Sequence, residues 1–493
     1  MEKVAVIGAG LVGALQAIFL AKKGYQVDVY ERREDMRKHQ ISAGRSINLA
    51  LSNRGWKALE TAGVKEKVEK MAIPMHGRMM HDVEGNTTFQ AYGFEGEAIY
   101  SVSRGGLNCI LMDEAESYDN VTFHFDMLCQ DLDLEKREVT FLNTESGKET
   151  THRPDRIFGT DGAFSAVRTR LQKTDRFNYE QMYLPHGYKE LSIPPAEGGG
   201  FKIDKNALHI WPRGEYMLIA LANEDGSFTC TLFFPFEGKP SFESLKTEAD
   251  VKAFFEETFP DALNLMPELV DDYFTNPTSS LVTIKCHPWN YEDWIILMGD
   301  ASHAIVPFYG QGMNSGFEDC TVFNDIFEAE NQNWAKSFKR FSNERKADAD
   351  AISNLALSNF VEMRDRVGDA QFLLKKSVEK NRRYDPLPIL LGKASDVNPV
   401  NSVGRTPLFQ AVRSGNIGDV KKLIEAGADL NMPDKYGHTP AHVAAIKTGI
   451  NKQKASDHYF DILKLLQGKG ANLGLEDYRG RTVTECLEHF AGR

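Results

Sequence analysis

Three glycine-bearing segments hold the residues whose types and spacing could do chemistry. The first is Gly8-Ala9-Gly10-Leu11-Val12-Gly13, a GxGxxG spacing. It follows the apolar run Val4–Ile7, which reads as a buried parallel strand, and opens a helical pattern over Leu11–Lys23. A second strand, Val27–Tyr30, ends at Glu31, 21 residues after Gly10. Gly8 permits a tight turn, Gly10 lets the backbone approach a pyrophosphate, and Gly13 lets helix and strand pack closely. The helix N-terminus offers amides and a positive dipole to phosphates, and Glu31 can accept hydrogen bonds from an adenosine ribose. Strand, glycines, helix, second strand and acidic end agree on a dinucleotide-binding unit, although their positions leave NAD and FAD both open.

The second segment runs from Arg156 through Asp161-Gly162 to Arg168, again strand, turn and helix start. The third joins the strand Trp294–Met298 to Gly299-Asp300 and then to the loop Gly310-Gln311-Gly312, with a helix from about Met313. Asp300 could hold ribityl hydroxyls, and the amides near Gly312, Met313 and Asn314 could face an electron-rich ring that gains from a positive dipole. His303 is placed where a base would be tempting and reads instead as structural. No side chain is nominated as catalytic.

The rest of the chain must position these groups. Its 493 residues suggest about three domains. With 42% hydrophobic and 26% charged residues, such a chain buries a core without disulfides or metal. The net charge of −12 speaks against nucleic acid or an anionic membrane as a partner of the whole surface. The six cysteines never reach CxxC spacing, which excludes the common zinc signatures and suits a reducing, cytoplasmic setting. No apolar run approaches the length of a membrane span, and the N-terminus passes almost directly into a strand. Leu208–Pro212, Tyr216–Asn223 and Ser227–Phe236 read as successive antiparallel strands, and Asp319–Glu328 and Phe341–Phe360 as helices.

Taken in order, GxGxxG, Asp161-Gly162 and Gly299-Asp300 resemble the motif series of the class A flavoprotein aromatic hydroxylases. Further segments resemble the kynurenine-hydroxylating branch of that family. They are Gly44–Ser52, Ile73–His81, Ala91-Tyr92-Gly93, Tyr100–Arg104, Pro185–Glu190, Leu208–Arg213 and Asn359–Arg364. The resemblance runs from residue 1 to roughly 375. It implies an α/β fold, a Rossmann-like FAD-binding domain with an antiparallel-sheet substrate domain like that of p-hydroxybenzoate hydroxylase. FAD-binding parts are expected at about 1–75, 100–180 and 285–330, the substrate sheet at about 76–99 and 181–284, and a helical part at 331–380.

The same resemblance implies that Arg78 and Tyr92 hold a substrate carboxylate and that Asn359 adds a polar contact. It places Gly8, Gly10, Val12, Gly13, Tyr30, Glu31, Arg32, Arg33, Ala50, Arg104, Cys129, Asp300, Gly312, Met313 and Asn314 at the cofactor. These types suit the task, since arginine grips a carboxylate with two donors and a tyrosine hydroxyl adds a neutral one. In this family NADPH reduces FAD, O2 adds to the reduced ring, and a flavin hydroperoxide passes OH to an arene. The implied reaction takes L-kynurenine to 3-hydroxykynurenine in tryptophan catabolism. Two readings stand beside it: a hydroxylase of another aromatic amino acid or amine, and a flavin-bound interaction protein with weak activity. Phe308 and Met363 read either as residues that keep the chamber dry or, equally, as plain core residues.

From about Asp396 the pattern changes. Gly404-Arg405-Thr406-Pro407 recurs 33 residues on as Gly437-His438-Thr439-Pro440, and again at Gly480 after 43. Gly427-Ala428-Asp429 returns as Gly470-Ala471-Asn472. This is the ankyrin pattern, with an insertion expected near Thr448–His458, and it reads either as a surface for a protein partner or as a helical cap without one. A linker over 381–403 with three prolines precedes the repeats at 404–493. The resembled family carries a substrate-contacting tyrosine in its own tail; Tyr384, in a charged stretch, does not align with it.

Overall fold

The computed structural model describes residues 2–38, 48–92, 97–361, 397–398, 400, 404–415, 417–450 and 458–491. The linker over 381–403 lies almost wholly outside the described residues, as do Gly44–Ile47, Gly93, Met363 and Tyr384. The chain divides into two compact units, Met1–Asp369 and Ala370–Arg493.

The first unit is built on two large sheets. The β-branched runs seen in the sequence form the centre of a six-stranded sheet. Its order is Asn290–Tyr291, Ile295–Leu297, Arg156–Gly159, Lys3–Ile7, Gln26–Tyr30 and Val121–His124. All neighbours are parallel except the short first strand. Both faces of such a sheet are covered, which is why these strands are apolar throughout. The helix Leu11–Lys22 is buried from Gly13 to Ala21 because it lies under the helices Arg104–Glu116 and Gly312–Ala329 as well as on the sheet. Thus the three glycine motifs all emerge at the ends of adjacent strands.

The second sheet has seven strands, ordered Thr278–His287, Asn178–Ile193, Phe228–Pro235, Tyr216–Ala222, Ala207–Arg213, Gly77–His81 and Thr87–Ala91. The three hairpin strands expected from the sequence are present within a residue at each end. The expectation of a wholly antiparallel sheet needs correction, because Gly77–His81 pairs in parallel with Ala207–Arg213. Only a hairpin forces antiparallel pairing, and these two strands are far apart in the chain. One face of this sheet is covered by helices at Glu248–Thr258, Pro260–Leu263 and Leu269–Thr275 around Phe255 and Phe259. The other carries Ile210, Met217 and Phe233 against Val306, Phe308, Ala356 and Phe360. The helix expected from about Met313 begins at Gly312, and the one expected from Phe341 begins earlier, at Trp334. Gly312, Asn314 and Gly316 have weak helix propensity, and their tertiary contacts override it.

In the second unit, helices Pro407–Ser414 and Ile417–Glu425 and helices Pro440–Ile450 and His458–Gly468 form two pairs, followed by Val483–Ala491. Pro407 opens its helix behind a Thr406 hydroxyl that accepts from the Phe409 amide, 3.1 Å away. Residues 451–457, within the expected insertion, lie outside the described residues. No helix among the described residues is long and apolar enough to cross a membrane.

The helix-covered face of the second sheet buries a polar chain. Trp211 Nε1 donates to Asp261 (2.8 Å), His81 bridges Asp261 (2.8 Å) and His209 (2.9 Å), and His209 Nε2 donates to the Asp204 carbonyl (2.7 Å). Burial, partly opposed by the Asp204 bond, pulls the His209 pKa from 6.5 down to about 4. The unfolded chain therefore binds a proton that the folded chain refuses, so this contribution to stability is full above pH 6.5 and is lost as the pH falls through about 4. Replacing His209→Gln is expected to flatten the fall in melting temperature across that window. Thermal melts at stepped pH check this, and an unaltered slope would contradict it.

Candidate active site

The first glycine turn is shaped by close approach. Gly8 has φ +103°, and a Cβ there would sit 2.6 Å from the Thr160 carbonyl oxygen. A Cβ on Gly13 would lie 1.9 Å from the Gly8 oxygen and 2.6 Å from the Thr160 hydroxyl. That hydroxyl donates to the carbonyls of Ile7 and Gly8, both at 2.9 Å. A Cβ on Gly10, by contrast, would meet nothing within 4 Å, so the turn has bare space where a pyrophosphate would approach. The Ala9 peptide is held on both sides: its N–H donates to Glu31 Oε2 (3.0 Å) and its carbonyl accepts from Asn108 Nδ2 (3.1 Å). The other Glu31 oxygen accepts from the Arg33 amide and Nε. Arg32 and Arg33 are exposed beside it.

Tyr30 and Cys129, expected at the cofactor, have their side chains in the core. The Tyr30 ring stacks on Phe141 (4.0 Å) and His124 (4.8 Å), and its hydroxyl meets His152. Cys129 lies opposite Phe141 on the neighbouring strand, and burial raises its thiol pKa. Both side chains belong to the core, which leaves only their backbones to the cofactor.

The ring end is built by the third motif. Gly299 has φ +60°, and Val12 packs beneath it and beneath Gly316. Asp300 keeps an exposed surface yet is crowded by protein; burial raises its pKa and the charge of exposed Arg104 opposes that. The Gly312 helix starts with no side-chain cap, so its first amides, including those of Gly312, Met313 and Asn314, have no helical carbonyl to meet. The Asn314 side chain is engaged within the protein, which leaves its backbone amide as the group free to serve a cofactor. It accepts from the Ser52 amide (2.9 Å) and donates to the carbonyls of Ala50 (2.8 Å) and Gly310 (2.9 Å). It thereby fixes Ala50 and the glycine loop against the helix. A cleft of about 850 Å³ opens here, lined by Ser52, Trp56, Tyr92, Tyr100 and Gln311 among others.

Arg78 packs on Tyr92, which lines this cleft. The strand register sets Arg78 beside Leu208 and Met80 beside Ile210, so Arg78 shares the face that carries Phe308 and Phe360. Its guanidinium carbon lies 5.6 Å from the Tyr92 ring centre. Its Nε is buried with no hydrogen-bond partner among the described residues. Burial raises the Tyr92 phenol pKa, and Arg78 opposes the rise. Phe308 stacks on Phe360 at 4.0 Å and meets Phe233 at 4.8 Å, forming an apolar wall. Asn359 donates to the Phe308 carbonyl, so it braces that wall, a role the sequence did not suggest. His303 is buried against Asp319 (2.6 Å), as its structural reading requires. Asn108, missed in the sequence, was signalled only by a polar residue inside an otherwise apolar helix face.

These groups fit FAD: a turn open at Gly10, an acidic ribose contact at Glu31, a carboxylate at Asp300 and a row of free amides. The FAD-binding domain family model matches residues 1–191, and an ankyrin model (three copies) matches 374–477. In fold the chain is similar to 2-methyl-3-hydroxypyridine-5-carboxylic acid oxygenase, at TM-score 0.61 and 18% identity over 78% of this chain and 97% of that one. It is likewise similar to the p-nitrophenol 4-monooxygenase PnpA of Pseudomonas putida, at TM-score 0.60 and 18% identity over 78% and 95%. Fold and site together define a FAD-dependent monooxygenase of the aromatic hydroxylase type. In sequence the chain is 53% identical over 378 residues to kynurenine 3-monooxygenase of Flavobacterium johnsoniae, covering 77% of this chain and 84% of that one. The enzyme of Sus scrofa is 45% identical over 379 residues, covering 76% and 79%. This chain belongs to the kynurenine 3-monooxygenase family.

The glycine geometry separates folding from cofactor binding. Gly13→Ala is expected to destabilise the FAD-free protein strongly, because two backbone segments must part. Gly10→Ala should keep its melting temperature within about 2 °C while weakening FAD at least about tenfold. Melting of the FAD-free protein and FAD titration check both, and equal FAD affinity in Gly10→Ala would contradict the assigned pyrophosphate position.

Proposed function

We propose that this chain hydroxylates L-kynurenine, using NADPH and O2, to give 3-hydroxy-L-kynurenine. The observation that carries the reading is the buried, unpartnered Nε of Arg78 beside the Tyr92 hydroxyl. Arg78 is half-buried, and an amino-acid carboxylate presents two acceptor oxygens that can meet its donors, the enclosed Nε among them. Bound FAD supplies the redox chemistry, accepting two electrons from NADPH and activating O2.

The chain's own residues do the rest. Glu31 and the Gly10 turn would hold the adenosine and pyrophosphate, Asp300 the ribityl chain, and the first amides of the Gly312 helix the ring. Arg78 and Tyr92 orient the arene by its amino-acid end. Phe308, Phe360 and Phe233 keep water from it, because apolar walls leave no hydrogen-bonding place for a solvent molecule. The balance is one C–H converted to C–OH, with the second oxygen atom leaving as water and NADPH oxidised to NADP+. The aryl amine of kynurenine already donates electrons to its ring, so no side chain is needed as a base.

The identity to named kynurenine 3-monooxygenases supports this substrate over another aromatic amino acid or an interaction protein with weak activity. The ankyrin unit supports a protein partner as well. Tyr436 and Tyr478 are exposed side by side, their ring centres 6.2 Å apart, with Lys435 over one and Arg479 over the other. Six free cysteines suit a reducing compartment such as the cytoplasm.

Arg78→Ala is expected to raise the kynurenine KM about 100-fold with FAD still bound, and Arg78→Lys to recover part of that loss. Steady-state kinetics and the flavin content of the purified variants check this. An unchanged KM would remove Arg78 from the substrate site.

A further inference from the structure

Asp319 is fully buried, and its carboxylate is bonded from three directions. Oδ2 accepts from the Gly299 amide at 3.0 Å and from His303 Nε2 at 2.6 Å, while Oδ1 accepts from Arg345 Nε at 2.8 Å. Arg345 continues through Nη2 to the Ser315 carbonyl (3.2 Å) and to Glu318 (2.8 Å). Burial alone would raise the Asp319 pKa, yet His303 and Arg345 outweigh it and hold the group below the usual carboxylate range. A carboxylate so placed is strongly destabilising unless every lone pair is met, and here each partner is specific.

The partners share one property: they bracket the ring end of the site. Gly299 immediately precedes Asp300, and its backbone, at φ +60° and ψ −142°, is one that only glycine adopts readily. Ser315 lies in the first turn of the Gly312 helix, directly after the three amides that have no helical carbonyl to meet. Arg345 comes from the long helix Trp334–Val361, which also carries Asn359. A single carboxylate therefore spans the turn that aims Asp300 and the turn that presents the amides. We propose that Asp319 is a positioning residue for the flavin, acting through Gly299 and Arg345 without touching the cofactor. It fixes the separation between the ribityl contact and the ring contact. This rests on the reading that FAD is held by Asp300 and the Gly312 helix.

The test uses the full chain with FAD removed and added back. Asp319→Asn keeps the side-chain size but turns an N–H2 toward donors that need an acceptor. Its FAD dissociation constant is expected to rise about tenfold or more, and the visible bands of the bound flavin to shift. At saturating FAD the kynurenine KM should stay within about twofold, because the Arg78 clamp stands on the other sheet. Arg345→Lys, which keeps the charge but cannot reach both Asp319 and Ser315, should give a smaller loss of FAD affinity in the same direction. A folded Asp319→Asn protein with unaltered FAD affinity and spectrum would overturn the inference, even if its melting temperature fell. Should that variant not fold, Arg345→Lys decides: weakened FAD supports the role, and unchanged FAD overturns it. A wild-type chain that takes up no FAD would instead overturn the flavin reading itself, and this inference with it.

Discussion

The half-buried Arg78 beside Tyr92, with its Nε enclosed and unpaired among the described residues, is the feature on which the proposed substrate site turns. A buried donor without an acceptor is costly, and Arg78 Nε has no partner among the described residues. The strand pairing explains why the arginine is there. Gly77–His81 is stitched between Ala207–Arg213 and Thr87–Ala91, so alternate residues face opposite layers. Arg78 and Met80 go to the face of Phe308 and Phe360, and His81 goes to the face of the covering helices. The same sheet thus offers a charge for one end of a small molecule and aromatic walls for the other.

The opposing half of the site is assembled from backbone more than from side chains. Gly8, Gly13 and Thr160 come so close that no side chain fits, and this draws the first two motifs together. Asn314 fixes the Ala50 strand end and the Gly310 loop to the start of the Gly312 helix. The result is a fixed row of amides at the positive end of an 18-residue helix. Such a site needs little rearrangement when a dinucleotide arrives, since its donors belong to secondary structure.

What the sequence made legible was composition at special backbone positions. GxGxxG after a strand, and Gly-Asp before a helix, announce turns that only glycine makes, so the glycines and Asp300 stand where the spacing put them. Direction was not legible. Tyr30, Cys129 and Asn314 occupy the expected elements, yet their side chains face the core or brace a loop, and only packing decides that. Asp319 and Asn108 were silent for the same reason, since one polar residue on a buried helix face has no spacing to betray it. The parallel strand pair was hidden because its partners are remote in sequence. The ankyrin tail was plain, because Gly404-Arg405-Thr406-Pro407 recurs as Gly437-His438-Thr439-Pro440. The structure adds that Asp434 and Asp477 head identical turns, each accepting from the amides two and four residues on.

The most direct test of the account is to load the full chain with FAD and follow NADPH oxidation with and without L-kynurenine while quantifying product. The account predicts that kynurenine accelerates NADPH oxidation and that 3-hydroxykynurenine forms in step with NADPH consumed. A flavin-loaded protein whose NADPH oxidation ignores kynurenine, or which yields no hydroxylated product, would contradict it.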